Sequence, residues 1–220
     1  MLTPFDWQEG VGHRAGYVEA KLAHGAPVLA ASCREGVAIF TRRKQRDKVF
    51  EIYDRLAFSA IGQQSDIEAL RVAAVEFAHR EGYRGSEEDV TIQRVVTAIS
   101  GPVKSAFGNF GSSPFVVRSL FAEVGETPDD DRFFVLDFDG DYSEHSGSAW
   151  VGPTHEGEPF AAEPSESFES AIVRMRAAWD AMTAEDTETR QGLSDETVLL
   201  SRDPTRLARF VRSPLASSPA

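Results

Sequence analysis

The run KVFEIYDRLAFSAIGQQSDIEALRVAAVEFAHREG, residues 48–82, changes its hydrophobic period without a break. Residues 49–53 and 56–61 are dense in β-branched and aromatic side chains around Asp54 and Arg55, the composition of two short strands and their reversal. From Gln64 the apolar residues move to helical spacing. Ile67, Leu70, Ala74, Phe77 and Ala78 fall on one face, Asp66, Arg71, Glu76 and Arg80 take the solvated sides, and Gly82 is the expected stop. Gly62, Gln63 and Gln64 sit at the junction, and nothing in this run is built to break a bond.

The flanking sequence supplies the other layers. Residues 14–24 predict an amphipathic leading helix ended by Gly25 and Pro27. Residues 28–32 and 37–41 predict a hairpin turned by Arg34, Glu35 and Gly36. Ser86 and Asp89 form a capping-box pattern for a second helix with the stripe Ile92, Val95, Val96, Ile99 and Val103, and Gly101 and Pro102 mark a kink or its end. Strands are expected in PFVVRSLFAEVG and at residues 132–138, 142–145 and 148–151. Residues 152–165 read as a solvated connection or an acidic partner-binding segment. Residues 165–182 predict a third helix with Phe168, Ile172, Met175 and Trp179 on one stripe, TAEDTETRQGLSDE is helical or loose, and ETVLLSRD adds an edge strand. Four strands, a helix pair and a second block of strands fit two sheets covered by helices.

Composition narrows the function. The 220 residues suffice for a substantial core, and 35 acidic against 23 basic residues give a net charge of -12, which disfavours nonspecific binding to nucleic acid or an anionic membrane. No apolar run reaches the roughly 18 residues of a spanning helix, and residues 1–10 lack a secretory apolar region, so a cytoplasmic location is expected. Cys33 is the single cysteine and reads as a buried structural thiol. The chain has no GxxxxGK loop, no dinucleotide fingerprint, and no HxxxH or CxxC pair; His13 and His24 with nearby acids are the only candidate metal cluster, and solvated histidines are the preferred reading. Asp129, Asp130, Asp131, Asp137, Asp139 and Asp141 crowd together, but DFDGDY is too short for the EF-hand spacing, which favours a solvated turn. No catalytic residue, metal site or cofactor is therefore expected. Asp54 and Arg55 are expected in a structural turn or an interface.

The segment VFEIYDRLAFSAIGQQSDIEALRVAAVEFA, with GAPVLAASCREGVAIF before it and EEDVTIQRVV, FVVRSLFAEVG and DDRFFVLDFDGDYSEHSG after it, resembles the proteasome alpha-subunit family, bacterial alpha subunits in particular. ETVLLSRDPTRLARF is similar to their terminal strand and basic continuation. The resemblance implies an α+β fold, a four-layer alpha-beta-beta-alpha sandwich with an extra N-terminal helix. It divides the chain into a gate-like segment at 1–12 and one alpha-like domain at 13–212; the serines, alanines and proline of 213–220 are expected to fray as a disordered tail. It also implies a seven-membered homo-oligomeric ring that caps rings of proteolytic beta subunits and controls the passage of unfolded polypeptide. An ATPase or other ring activator is the further partner, and any ATP is used there.

The same resemblance implies a noncatalytic chain, because hydrolysis in active beta subunits needs an N-terminal threonine freed by cleavage after glycine. No Gly-Thr pair occurs here, and the Gly-Ser pairs at 85–86, 111–112 and 147–148 lie too deep in the fold to become a mature terminus. Lys48, in DKVFEIYDR, matches the family lysine that lines an intersubunit pocket for an activator's C-terminal tails; a solvated or structural lysine is the alternative. Arg42, Arg43, Lys44 and Arg46 widen the positive field or simply solvate the loop. Phe5 and Trp7 match the gate, where chain starts converge at the ring centre. Two other fates stay open: a self-assembling alpha-like scaffold without a conventional beta partner, and a diverged N-terminal-nucleophile hydrolase.

Overall fold

The strands pair in two sheets because nearly every one of them is apolar on alternate positions that need different covers. A computed structural model describes residues 4–153, 160–184, 190 and 192–212. In the first sheet β1 (Val28–Cys33) and β2 (Gly36–Arg43) form the expected hairpin, with Val28 opposite Thr41 and Cys33 opposite Gly36. β8 (Ser148–Val151) lies on the free side of β1, while β9 (Ser194–Ser201) and then β10 (Phe210–Arg212) extend from β2. The second sheet holds β3 (Val49–Tyr53), β4 (Leu56–Gly62), β5 (Val117–Glu123), β6 (Arg132–Leu136) and β7 (Tyr142–Ser146) in chain order, every pair antiparallel.

Period-two alternation then sorts the side chains into three buried layers. Val28, Ala30, Val37 and Ile39 meet Ala57, Ile61, Leu120, Ala122 and Phe133 between the sheets. Leu29, Ala31, Ala38 and Phe40 point the other way, onto Phe168, Ile172, Met175 and Trp179 of α4 (Phe168–Met182). Leu56, Phe58 and Phe121 turn from the inter-sheet core to α2 (Gln64–Arg84) and α3 (Ile92–Gly108). The result is the alpha-beta-beta-alpha sandwich, with an extra helix α1 (Pro4–Leu22) ahead of β1. Val18 and Leu22 of α1 are fully buried in the inter-sheet core, each worth roughly 1.5–3 kcal/mol of apolar burial.

Several boundaries differ from the sequence expectation. α1 starts at Pro4 rather than residue 14. Proline suits a first helical position, and Gly10 within this stretch lets the Phe110 ring approach so closely that an added Cβ would lie 2.8 Å from Cε1. Gly82 does not stop α2, which continues to Arg84; the glycine leaves room for Tyr53, whose hydroxyl would sit 2.4 Å from a Cβ there. The Ser86–Asp89 capping box forms, yet it closes a single 3₁₀ turn, and α3 starts later with the Thr91 hydroxyl accepting from the Arg94 N–H. That helix passes through Pro102 to Gly108. β9 is not an edge strand, because Phe210–Arg212 returns to pair along it. Residues 1–3, 154–159, 185–189, 191 and 213–220 lie outside the described residues, so the first residues of the gate-like segment, part of the acidic link, part of the TAEDTETRQGLSDE segment and the expected tail do as well.

Gly62 fixes the strand-to-helix junction that the opening run anticipated. Its φ is +132°, and a Cβ would meet the Val116 carbonyl oxygen at 2.1 Å. The chain can therefore leave β4, bond Gln63 N–H to the Val116 carbonyl at 2.7 Å, and begin α2 at once, with the Asp66 carboxylate accepting from the Val116 N–H at 2.8 Å. Gly62→Ala is expected to destabilise the protein by about 2 kcal/mol or more, read as a lowered midpoint of chemical unfolding. A midpoint equal to that of the unmodified chain would show that the junction carries no strain.

Candidate functional site

Lys48 stands at the corner where the end of β2, the start of β3 and the segment before β1 come together. Its backbone is clamped first: its N–H donates to Glu196 Oε2 at 2.9 Å, the Val49 N–H donates to Glu196 Oε1 at 3.3 Å, and its carbonyl accepts from the Ser59 hydroxyl at 2.8 Å. Glu196 comes from β9 and is only 3% exposed. Its carboxylate also takes an ion pair from Arg212 of β10 and lies 3.9 Å from the Arg43 Nε. This buried charge is thus met by two backbone donors and a guanidinium, the condition for keeping a carboxylate inside a protein.

The lysine side chain turns from this clamp toward the inner end of the sandwich. Nζ donates to the Ala26 carbonyl at 2.5 Å and to Thr41 Oγ1 at 3.3 Å. Thr41 gives its own proton to the Pro27 carbonyl at 2.7 Å, and that same carbonyl accepts from Trp179 Nε1 at 3.0 Å. Although some of the Lys48 side chain remains exposed, its ammonium is enclosed, and burial pushes its pKa down to about 8 against a partial opposing pull from Glu196.

A cavity of about 670 Å³ opens beside Lys48, between loop 44–48, the end of β4 and the first turns of α2. Its wall carries cations at four further places. Arg42 is held between Asp180 and Asp195, each at 2.8 Å, over the Trp179 ring, and Arg43 pairs with Asp47. Lys44 and Arg46 are exposed and have no ion-pair partner among the described residues. None of the residues lining this cavity is a serine, threonine or cysteine. The cleft can therefore attract and hold an anionic group, with Lys48 at its inner end.

The remaining sequence candidates are placed elsewhere. Asp54 lies 3.6 Å from Arg209, and Arg55 lies 3.6 Å from Glu123 while donating to the Glu88 carbonyl at 3.0 Å, so this turn ties β3 and β4 to neighbouring segments of the same chain. Trp7 is 47% exposed and stacks edge-on against Phe110 with 4.8 Å between centroids; Phe5 is on α1, and its side chain lies outside the described residues. Arg14 locks the same region, donating to the carbonyls of Ala106 and Ser112 at 3.1 and 3.0 Å. His13 and His24 line different clefts, and no group of three or more His, Cys, Asp or Glu residues among those described is placed to hold a metal ion. The acidic stretch forms turns: Asp137 pairs with the buried Arg118, and Asp141 faces Lys104 at 3.7 Å. Cys33 is buried, its thiol donates to the Gly36 carbonyl at 3.1 Å, and burial pushes its pKa up to about 11. Glu196, Thr41 and the Ala26 carbonyl were not legible as site groups, since a carboxylate 148 residues from Lys48 carries no local signal.

Among the described residues no helix is long and apolar enough to cross a membrane. The family model described as "Proteasome subunit" matches residues 22–156. The proteasome subunit alpha of Jonesia denitrificans is 33% identical over 156 residues, covering 69% of this chain and 66% of that protein. That of Streptomyces scabiei is 31% identical, covering 69% of this chain and 63% of the relative, and that of Acidothermus cellulolyticus is 31% identical, with coverage of 69% and 67%. The matched stretch thus spans just under two-thirds of the first two relatives. The stretch matched by the family model runs from the last residue of α1 past β8, so both sheets' central strands and Lys48 fall inside it. On this sequence match and this sandwich, the chain belongs to the proteasome subunit family, among its bacterial alpha subunits.

Proposed function

We propose that this chain is a noncatalytic, cytoplasmic alpha-type subunit that assembles with copies of itself into the outer ring of a bacterial proteasome-like particle. Proteolytic beta subunits would supply the hydrolysis, and unfolded polypeptide would pass through the ring. The Lys48 cleft is its docking site for the C-terminal tail of an activating ATPase or similar regulator. The observation that carries this reading is the enclosed Lys48 ammonium at the inner end of a cationic cleft that holds no hydroxyl or thiol nucleophile in its wall. A tail carboxylate would complete the charge that Lys48 lacks, and Lys44 and Arg46 would draw it in. Phe5 and Trp7 belong to the segment assigned to the gate, with Trp7 tethering the start of α1 to Phe110.

Three measurements test the parts separately. Native mass spectrometry of the chain, alone and co-produced with beta subunits, is expected to give a seven-membered ring; failure to form any ring in either case would sink the assembly. A peptide carrying a regulator's free C-terminus is expected to lose about tenfold or more in affinity on Lys48→Met, or on amidation of the peptide, by fluorescence anisotropy. The sign with pH follows from the free amine: a carboxylate prefers charged Lys48, so affinity is full below about pH 8 and falls as the pH rises above it. Equal affinity at pH 7 and 9.5, with no effect of Lys48→Met, would remove Lys48 from the site. Deleting residues 1–10 is expected to speed degradation of an unfolded substrate by the reconstituted particle, and an unchanged rate would count against the gate.

A further inference from the structure

The amine of Lys48 is arranged as a nucleophile as well as a cation. A neutral amine has two N–H bonds and one lone pair, and here two acceptors stand at Nζ: the Ala26 carbonyl at 2.5 Å and Thr41 Oγ1 at 3.3 Å. Thr41 cannot turn round and donate to the lone pair, because its proton is committed to the Pro27 carbonyl at 2.7 Å. With both N–H bonds taken by the protein, the lone pair is left unclaimed, and Lys48 lines the open cavity.

The surroundings bring the neutral form within reach of ordinary pH, so that a larger share of this amine is unprotonated there than of an ordinary lysine. Glu196 from β9 is the acidic group acting on the amine, but its oxygens are shared with the N–H groups of Lys48 and Val49 and with Arg212. Asp47 is taken by Arg43 and Arg212, Arg42 is held by Asp180 and Asp195, and His24, Lys44 and Arg46 add only neutral or positive groups. Burial therefore dominates and keeps the amine near pKa 8. The chain has only four lysines, and the other three are exposed: Lys21 over the Tyr17 ring, Lys44 in the loop, and Lys104 facing Asp141.

We infer that Lys48 is a site of covalent acylation by acyl thioesters with anionic carriers, which the exposed Lys44 and Arg46 at the cleft would draw toward the amine. The amine lone pair attacks the thioester carbonyl carbon, the tetrahedral adduct collapses with loss of the C–S bond, and the departing thiolate takes up the proton released from nitrogen. The products are an amide on Lys48 and a free thiol. Acylation removes the charge at the inner end of the cleft, so on the docking reading above, and only there, it switches tail binding off.

The test is competitive trace labelling of the full native chain with acetyl-coenzyme A, read by peptide mass spectrometry across pH 6.5–10. Lys48 is expected to acylate at least about fivefold faster at pH 7.5 than Lys21, Lys44 or Lys104, with a rate midpoint near pH 8. Lys44→Gln with Arg46→Gln should slow the labelling of Lys48 without moving that midpoint. Labelling of Lys48 no faster than the exposed lysines, or a midpoint above pH 10, overturns the inference. Tail-peptide binding is measured on the same preparation. Selective acylation of a protein that binds no tail supports this chemistry and sinks the docking reading, whereas unselective labelling of a protein that does bind tails overturns this chemistry and leaves docking intact.

Discussion

A sandwich of two sheets buries its middle easily and leaves its ends open, and how this chain closes one end decides much of the rest. Between the sheets Val28, Ala30, Val37 and Ile39 meet Ala57, Ile61, Leu120, Ala122 and Phe133, a wholly apolar layer. α1 covers part of the rim with Val18 and Leu22. Beside it the closure is polar: the loop between β2 and β3 folds over the rim, and Glu196 gathers its backbone donors from across the neighbouring sheet. The loop's position therefore depends on β9, although β9 is encoded some 150 residues later.

That arrangement has an electrostatic consequence. A carboxylate offers about four lone-pair sites, and Glu196 spends them on two N–H groups and on Arg212. Little of its field is left for the Lys48 ammonium, whose other partners, a carbonyl and a hydroxyl, are neutral. A buried cation with only dipoles for company is held weakly charged, and it gains most from an incoming anion. The Arg42 side chain shows the opposite solution within the same cleft wall: stacked on Trp179 and gripped by two aspartates, its charge is already answered.

How much of this the sequence disclosed can be traced residue by residue. The strand pair at residues 49–61, the hairpin around Gly36 and the face of α2 were legible because local periodicity and burial agree there. Gly82 and the Ser86–Asp89 box misled for one reason: both are real local signals, but tertiary partners decide their use, Tyr53 resting on the glycine and the box closing one 3₁₀ turn. The early start of α1 was not anticipated, and part of what supports it is tertiary: Gly10 admits the Phe110 ring. Lys48 itself was found by resemblance to a family pattern; its enclosure was not, since Ala26, Thr41 and Glu196 meet it only in three dimensions.

The choice of lysine at that corner follows from the same geometry. The chain otherwise leans heavily on arginine, with nineteen against four lysines, and an arginine would keep a positive charge at position 48 at any pH. A guanidinium has five N–H donors in a fixed plane, however, and this corner offers a carbonyl and a hydroxyl oxygen. Arginine would leave donors buried and unmet, and its charge would remain however deeply it was enclosed. A lysine amine fits two acceptors, sheds its proton within reach of neutral pH, and belongs to a residue that lines the cavity. Among the cations that line this cleft, Lys48 is thus the one whose enclosure brings its charge within reach of adjustment near neutral pH, while Arg42, Arg43 and Arg46 stay charged.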